Sequence, residues 1–159
     1  MRYATETSVS VSRSRAEIED MVQRAGGAAF GSILQDARAV VLFELAQRRV
    51  MFELPLPAKD AFAMRLVRGR KVRSSPEQQT AGWEQACRTR WRALALAIKA
   101  KLVSVESGVE SFEEAFLAHL VVPGKDGGAA RFSSVALPAI TEAYARGQLP
   151  PLLPSGGTP

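Results

Sequence analysis

The pattern of apolar and polar residues predicts a small β-sheet near the amino terminus. Residues 7–12, TSVSVS, alternate Val with Ser and Thr, which is the period-two pattern of a half-buried strand. Two apolar runs rich in β-branched and aromatic residues, 39–45 and 50–56, are separated by AQRR and predict a hairpin that ends at LPLP. The three runs together predict a three-stranded, mainly antiparallel sheet.

Apolar residues at helical spacing predict two helices around this sheet. The first follows a capping box at residues 14–17 (SRAE) and stops at the Gly pair 26–27. The second follows the Ser75 capping box, with Pro at its first turn, and covers residues 76–107. At about 1.5 Å per residue it is a rod of roughly 48 Å.

The remainder of the chain predicts two further helices and an extended arm. A capping box at Ser111 starts a helix over 112–122, which forms a helix hairpin with the long helix. A final helix starts at Pro138 and stops at Gly147. We therefore expect one α+β domain over residues 1–148, in which the sheet packs on the long helix, and a Pro-rich arm over 149–159.

The long helix has an apolar stripe with cations on both of its edges. Arg88, Arg92 and Lys99 share one edge, and Arg90 and Lys101 share the other. The face opposite the stripe is also apolar, which favours either burial within the domain or self-association through Leu96, Ala100 and Val103. We expect the stripe itself to be core, including both tryptophans and the single cysteine: Trp83, Cys87, Trp91, Leu94, Ile98, Leu102 and Val105.

Positive charge is concentrated in the middle of the chain. The formal net charge is +5, but residues 48–101 contain thirteen Lys or Arg and four acids, a local net charge of +9. The most basic segment, 58–75, has no clean period and is predicted as a loop, with room for one helical turn or a short strand. Such asymmetry favours a polyanionic partner, although solvation of the surface also accounts for it.

These cations support the hypothesis of a nucleic-acid-binding protein that contacts phosphates with little base specificity. Base stacking by the tryptophans is the less favoured interpretation, because both lie on the apolar stripe. An alternative is a protein-interaction module, an inhibitor or adaptor of a host or mobile-element complex. The predicted phosphate-contacting residues are Arg65, Arg68, Arg70, Lys71, Arg73, Arg88, Arg92 and Lys99.

Catalytic motifs are missing from the sequence. His119 is the only histidine, so no cluster of His and Cys predicts a metal site, and there is no phosphate loop or dinucleotide fingerprint. We predict no enzymatic activity, no metal and no cofactor. A small nuclease using Asp36 or Glu44 is a third interpretation, which requires metal-dependent cleavage. Without an apolar run of about 20 residues or an apolar signal core, we expect no membrane association and a cytoplasmic location.

Part of the sequence resembles a known group of proteins. The run WRALALAIKAKLVSVESGVESFEEAFLAHLVVPG (91–124), together with SRAEIEDMVQRAGG and the hairpin ending in LPLP, is similar to uncharacterised small proteins encoded by bacteriophages, prophages and plasmids. The resemblance covers most of the chain. It implies a mobile-element origin and a bacterial host, and it carries no catalytic residues over to this chain.

Overall fold

The computed structural model of the protein describes residues 7–35, 37–123 and 127–147. This part of the chain contains four α-helices and two short 3₁₀ helices, at Lys59–Phe62 and Leu117–His119. It therefore has the mixed α+β composition that the sequence pattern predicts. The α-helices are α1 (Val11–Arg24), α2 (Pro76–Glu106), α3 (Phe112–Phe116) and α4 (Phe132–Arg146).

The strands of the described residues form one three-stranded sheet and two small hairpins, all antiparallel. In the larger sheet β2 lies between β1 and β3, while β4 pairs with β5 and β6 with β7. The predicted three-stranded antiparallel sheet is thus confirmed. The strands are β1 (Phe30–Gln35), β2 (Arg38–Leu45), β3 (Arg48–Pro55), β4 (Met64–Val67), β5 (Arg70–Arg73), β6 (Val121–Pro123) and β7 (Ala129–Arg131).

One face of the sheet packs against the helices to form the core. Burial alternates along β2 and β3, so that every second side chain points inward. Phe116 of α3 meets Phe43 and Phe52 edge to face, with ring centroids 6.2 and 6.4 Å apart. The predicted apolar stripe of α2 covers the same face through Trp91, Leu94 and Ile98, whereas Trp83 is half-buried and is not part of this core cluster.

The predicted amino-terminal strand is wrong. Residues 7–10 form no regular structure, and α1 begins at Val11, because the Ser10 side chain accepts a hydrogen bond from the Arg13 backbone N–H. Ser14, the predicted cap, is buried inside the helix. The third strand of the sheet is instead β1, which the sequence pattern did not identify.

Two other predicted boundaries also differ. The helix expected over 112–122 is only five residues long, and the chain then enters a 3₁₀ turn and β6. The last helix begins at Phe132 rather than at Pro138, which lies inside it, and it ends at Gly147 as predicted. The proposed arm, 149–159, lies outside the described residues.

Candidate nucleic-acid interface

The most basic segment of the chain folds into a two-stranded ribbon, here called the β4–β5 ribbon (residues 64–73). The Ser74 backbone N–H donates to the Ala63 carbonyl oxygen at 2.9 Å and closes its base. Arg68 and Gly69 form the turn, with φ values of 48° and 78°. Two successive residues of positive φ match the right-handed twist of a two-residue hairpin. Segment 58–75 therefore contains a 3₁₀ turn at Lys59–Phe62 and two short strands, where the sequence predicted a loop with room for one helical turn or a short strand.

The base of the ribbon is fixed to the first turns of α2. Gln79 Nε2 donates to the Lys59 carbonyl oxygen at 2.9 Å, and Trp83 Nε1 donates to the Pro57 carbonyl oxygen at 2.9 Å. The Phe62 ring packs on Gly82, where an added Cβ would come within 3.0 Å of ring carbon Cδ1. These contacts hold both the entry to the ribbon and the indole of Trp83, so this tryptophan has a structural role.

The five cations of the ribbon are all exposed. Within the described residues, none of them has an ion pair with a carboxylate. No acid lies between Asp60 and Glu77 in the sequence. Glu77 itself is held at the start of α2, where hydrogen bonds from its own backbone N–H and from the Ser75 hydroxyl lower its carboxyl pKa. The ribbon cations are Arg65, Arg68, Arg70, Lys71 and Arg73.

Exposed apolar side chains also lie among these cations. Leu66 is 72% exposed and Met64 51% exposed on β4, and Val72 is 41% exposed on β5. The signal that could have found the ribbon is the Arg-Gly pair between two four-residue runs, because Gly at the second turn position is typical of tight hairpins.

The predicted cations of α2 have different surroundings. Arg92 forms an ion pair with Glu17 of α1, and both side chains are largely shielded from solvent. Arg88 donates two hydrogen bonds to Gln85 Oε1, at 3.0 and 2.6 Å, and lies 3.9 Å from a Glu84 oxygen. Both arginines therefore bind groups of the protein itself.

The remaining cations of α2 differ from one another. Lys101 donates to the Ala115 carbonyl oxygen and lies 5.7 Å from the centre of the Phe116 ring, so it joins α2 to α3. Arg90 and Lys99 are exposed and have no ion pair among the described residues. Lys99 follows Pro76 by 23 residues, which places it about 35 Å along the helix axis from the end of α2 next to the ribbon.

Three other residues named in the sequence analysis, Trp91, Cys87 and His119, pack within the fold. Trp91 and Cys87 are buried, and desolvation raises the pKa of the Cys87 thiol. His119 stacks on Phe52 at a centroid distance of 3.8 Å. Its pKa is lowered to about 4, chiefly by burial and further by the charges of Lys101 and Arg131. No described group of His, Cys, Asp and Glu could hold a metal ion.

The residues of the nuclease and self-association hypotheses are placed as follows. Glu44 accepts a hydrogen bond from Arg49 Nη2 at 3.2 Å and forms an ion pair with it across the β2–β3 hairpin. Asp36 lies outside the described residues. On the far face of α2, Ala100 and Val103 are exposed and Leu96 is half-buried.

Comparison with protein-family models, with curated proteins and with solved structures found no match to this chain. The resemblance to phage and plasmid proteins therefore stays an expectation. Among the helices of the described residues, none has the length and apolar character needed to cross a membrane.

Proposed function

We propose that this protein binds nucleic acid without cleaving it, through phosphate contacts made by the β4–β5 ribbon. The observation that carries the proposal is the set of five exposed ribbon cations that have no carboxylate partner in the described chain. Cations that are already paired gain little from a phosphate, whereas free ones release the counterions of the nucleic acid when they bind. We therefore propose the five ribbon cations as the phosphate-contacting set. Arg88 and Arg92 are left out because they bind groups of the protein itself, and Lys99 is left out because it lies about 35 Å along α2 from the end next to the ribbon.

The test is a salt titration of the affinity for a short DNA duplex. Five phosphate contacts give a slope of about −4.5 in log K against log salt concentration, or a loss of about 500-fold between 50 and 200 mM salt. Replacing Arg65, Arg70 and Lys71 by Ala should reduce the slope to about −1.8, which corresponds to a loss of about 12-fold over the same range.

A matched control removes the same charges elsewhere. Arg13, Arg90 and Lys99 are also two arginines and one lysine, all exposed and without an ion pair among the described residues. Replacing these three by Ala should leave the slope near that of the unaltered protein. The proposal is rejected if the protein shows no binding at low salt, or if the two triple variants lose affinity equally.

The proposed setting is the DNA metabolism of a phage or plasmid in a bacterial cytoplasm. Its support is the sequence resemblance over residues 91–124 and the two shorter segments. An assay of duplex integrity with Mg²⁺ or Mn²⁺ accompanies the titration, and we expect the DNA to stay intact. Metal-dependent cleavage would replace the binding proposal by that of a nuclease.

A second candidate function, a protein-interaction module, is favoured by one face of α4. Leu137, Ile140 and Tyr144 follow each other at helical spacing and are 57%, 47% and 79% exposed. Exposed apolar clusters of this kind are typical of protein-binding surfaces. After nuclease treatment of a bacterial lysate, the chain should capture a defined protein, and a variant with Ser at these three positions should not. Equal capture by both proteins would contradict this function.

A further inference from the structure

The ribbon carries its cations on both of its faces. In the β4–β5 register Met64 is opposite Arg73 and Leu66 is opposite Lys71, whereas Arg65 is opposite Val72 and Val67 is opposite Arg70. Because side chains alternate across a strand and opposite residues share a face, Lys71 and Arg73 lie on one face. Arg65 and Arg70 lie on the other, and Arg68 is at the tip.

From this distribution we infer that the ribbon binds double-stranded DNA by entering the major groove, an inference that rests on the proposed function. A ribbon lying flat on a phosphate backbone would use the cations of one face and of the tip only. Inside a groove, the two backbones of the duplex flank the ribbon, so both faces meet phosphates at the same time. All five cations are then used.

The dimensions of the ribbon favour the major groove. The major groove is about 12 Å wide and admits a two-stranded ribbon, whereas the minor groove is about 6 Å wide. With side chains on both faces a sheet is about 10 Å thick, the spacing at which sheets stack, so the ribbon fits between the walls of the major groove and is too thick for the minor groove.

Single-stranded nucleic acid fits the ribbon less well. Proteins that bind single strands combine a cationic surface with aromatic side chains on which bases stack. Residues 63–75 contain no aromatic residue. The nearest aromatic residues are engaged elsewhere, since Phe62 packs on Gly82 and Trp83 donates to the Pro57 carbonyl. The ribbon also has cations for two backbones, whereas a single strand offers one.

The experiment compares the two faces with paired variants. One variant replaces Lys71 and Arg73 by Ala, and the other replaces Arg65 and Arg70 by Ala. Groove insertion predicts that each pair reduces the salt slope for duplex DNA by about 1.8. Binding by one face predicts that one pair has the whole effect and that the other has none. Thermal unfolding of both variants confirms that they remain folded.

The same titration with modified DNA identifies the groove. Bulky substituents at C5 of the pyrimidines project into the major groove. They should block insertion of the ribbon and remove the contribution of both pairs of cations to the salt slope. A small ligand that fills the minor groove should leave binding unchanged.

Each remaining outcome separates the two proposals. Groove insertion would be overturned, and nucleic-acid binding left in place, by any of three results. These are a pair of substitutions on one face that does not change the salt slope, binding that is insensitive to C5 substituents, and equal affinity for a single strand. No binding to either nucleic acid would overturn both.

Discussion

The cations of the β4–β5 ribbon and those of α2 are the same residue types, close together in the sequence, but their neighbours differ. Arg92 meets Glu17, Arg88 meets Gln85 and Glu84, and Lys101 meets the Ala115 carbonyl. The five ribbon cations meet no carboxylate in the described residues. The helix period explains the difference for these three residues, because they flank a buried stripe and lie within reach of the elements that cover it. Arg90 and Lys99 are exposed and have no ion pair among the described residues.

The comparison shows that a count of charges does not locate a binding surface. Residues 48–101 have a net charge of +9, yet part of that charge connects elements of the fold. A cation that closes an internal contact contributes to stability, whereas a free cation on the exposed ribbon is available to a ligand. The two groups should therefore respond in opposite ways to substitution.

The largest expected effect on stability comes from Arg92→Ala, which leaves the partly shielded Glu17 carboxylate without its partner. We expect the free energy of unfolding to fall by about 1–2 kcal/mol, between the values for an exposed ion pair and for a charge-assisted hydrogen bond. Denaturant unfolding measures this change. Arg90→Ala, two positions away and exposed, is the control and should change stability by less than about 0.5 kcal/mol. Equal effects would remove the distinction between paired and free cations.

The next effect is on the pH dependence of stability, through His119. Its pKa is about 4 in the folded protein, because burial and the charges of Lys101 and Arg131 disfavour the protonated ring. The usual value in an unfolded chain is about 6.5. Between these values the unfolded chain binds more protons, so stability is fully present above about pH 6.5 and is lost as the pH falls toward 4.

The measurement is the difference in unfolding free energy between pH 7 and pH 5, in the unaltered protein and in His119→Gln. We expect the difference to shrink by on the order of 1 kcal/mol in the variant, allowing for partial solvent screening. Lys101→Met should raise the His119 pKa followed by NMR. An unchanged His119 pKa in that variant would show that the charge of Lys101 does not influence the buried histidine.

A smaller effect compares two lysines. Lys71→Ala removes one ribbon cation and should reduce the salt slope for duplex DNA by about 0.9, which is about 3.5-fold in affinity between 50 and 200 mM salt. Lys99→Ala removes one exposed cation of α2 and should change the slope by about zero. If Lys99 matters as much as Lys71, then α2 takes part in binding after all.

The smallest expected effect on stability is that of Gly69→Ala at the tip of the ribbon. The φ of 78° at Gly69 disfavours any residue with a Cβ, but an added Cβ meets no atom within 4 Å. The strain should open the ribbon locally and weaken DNA binding, while global stability changes by less than about 0.5 kcal/mol. Gly31→Ala is the control, because an added Cβ at Gly31 also meets no atom within 4 Å and the φ of Gly31 is not positive. A large loss of global stability in Gly69→Ala would show that the ribbon belongs to the core.

Local signals in the sequence were sufficient for much of the fold. The capping boxes at Ser75 and Ser111, the β2–β3 hairpin and the apolar stripe of α2 depend on residues close together in the chain. The predicted start of α1 was wrong because Ser10 and Ser14 both precede a helical pattern. The deciding contact is the hydrogen bond that the Arg13 backbone N–H donates to the Ser10 hydroxyl oxygen. TSVSVS was too short to separate a strand from a capped helix.

The candidate site was predictable only in part. The basic composition of 58–75 is evident from the sequence, but the segment was predicted as a loop and its Arg-Gly turn was not identified. The neutralisation of Arg92 was not, because Glu17 lies 75 residues away in the chain. Contacts of that separation depend on how α1 and α2 pack, which periodicity does not specify.

Hydrogen exchange of the whole chain, with and without a saturating DNA duplex at low salt, tests the central claim most directly. The account predicts that DNA slows exchange in residues 64–73 and leaves exchange in residues 88–101 unchanged. Slowed exchange along 88–101 with none in the ribbon would contradict it, because the cations of the helix, and not those of the ribbon, would then be the ones that bind.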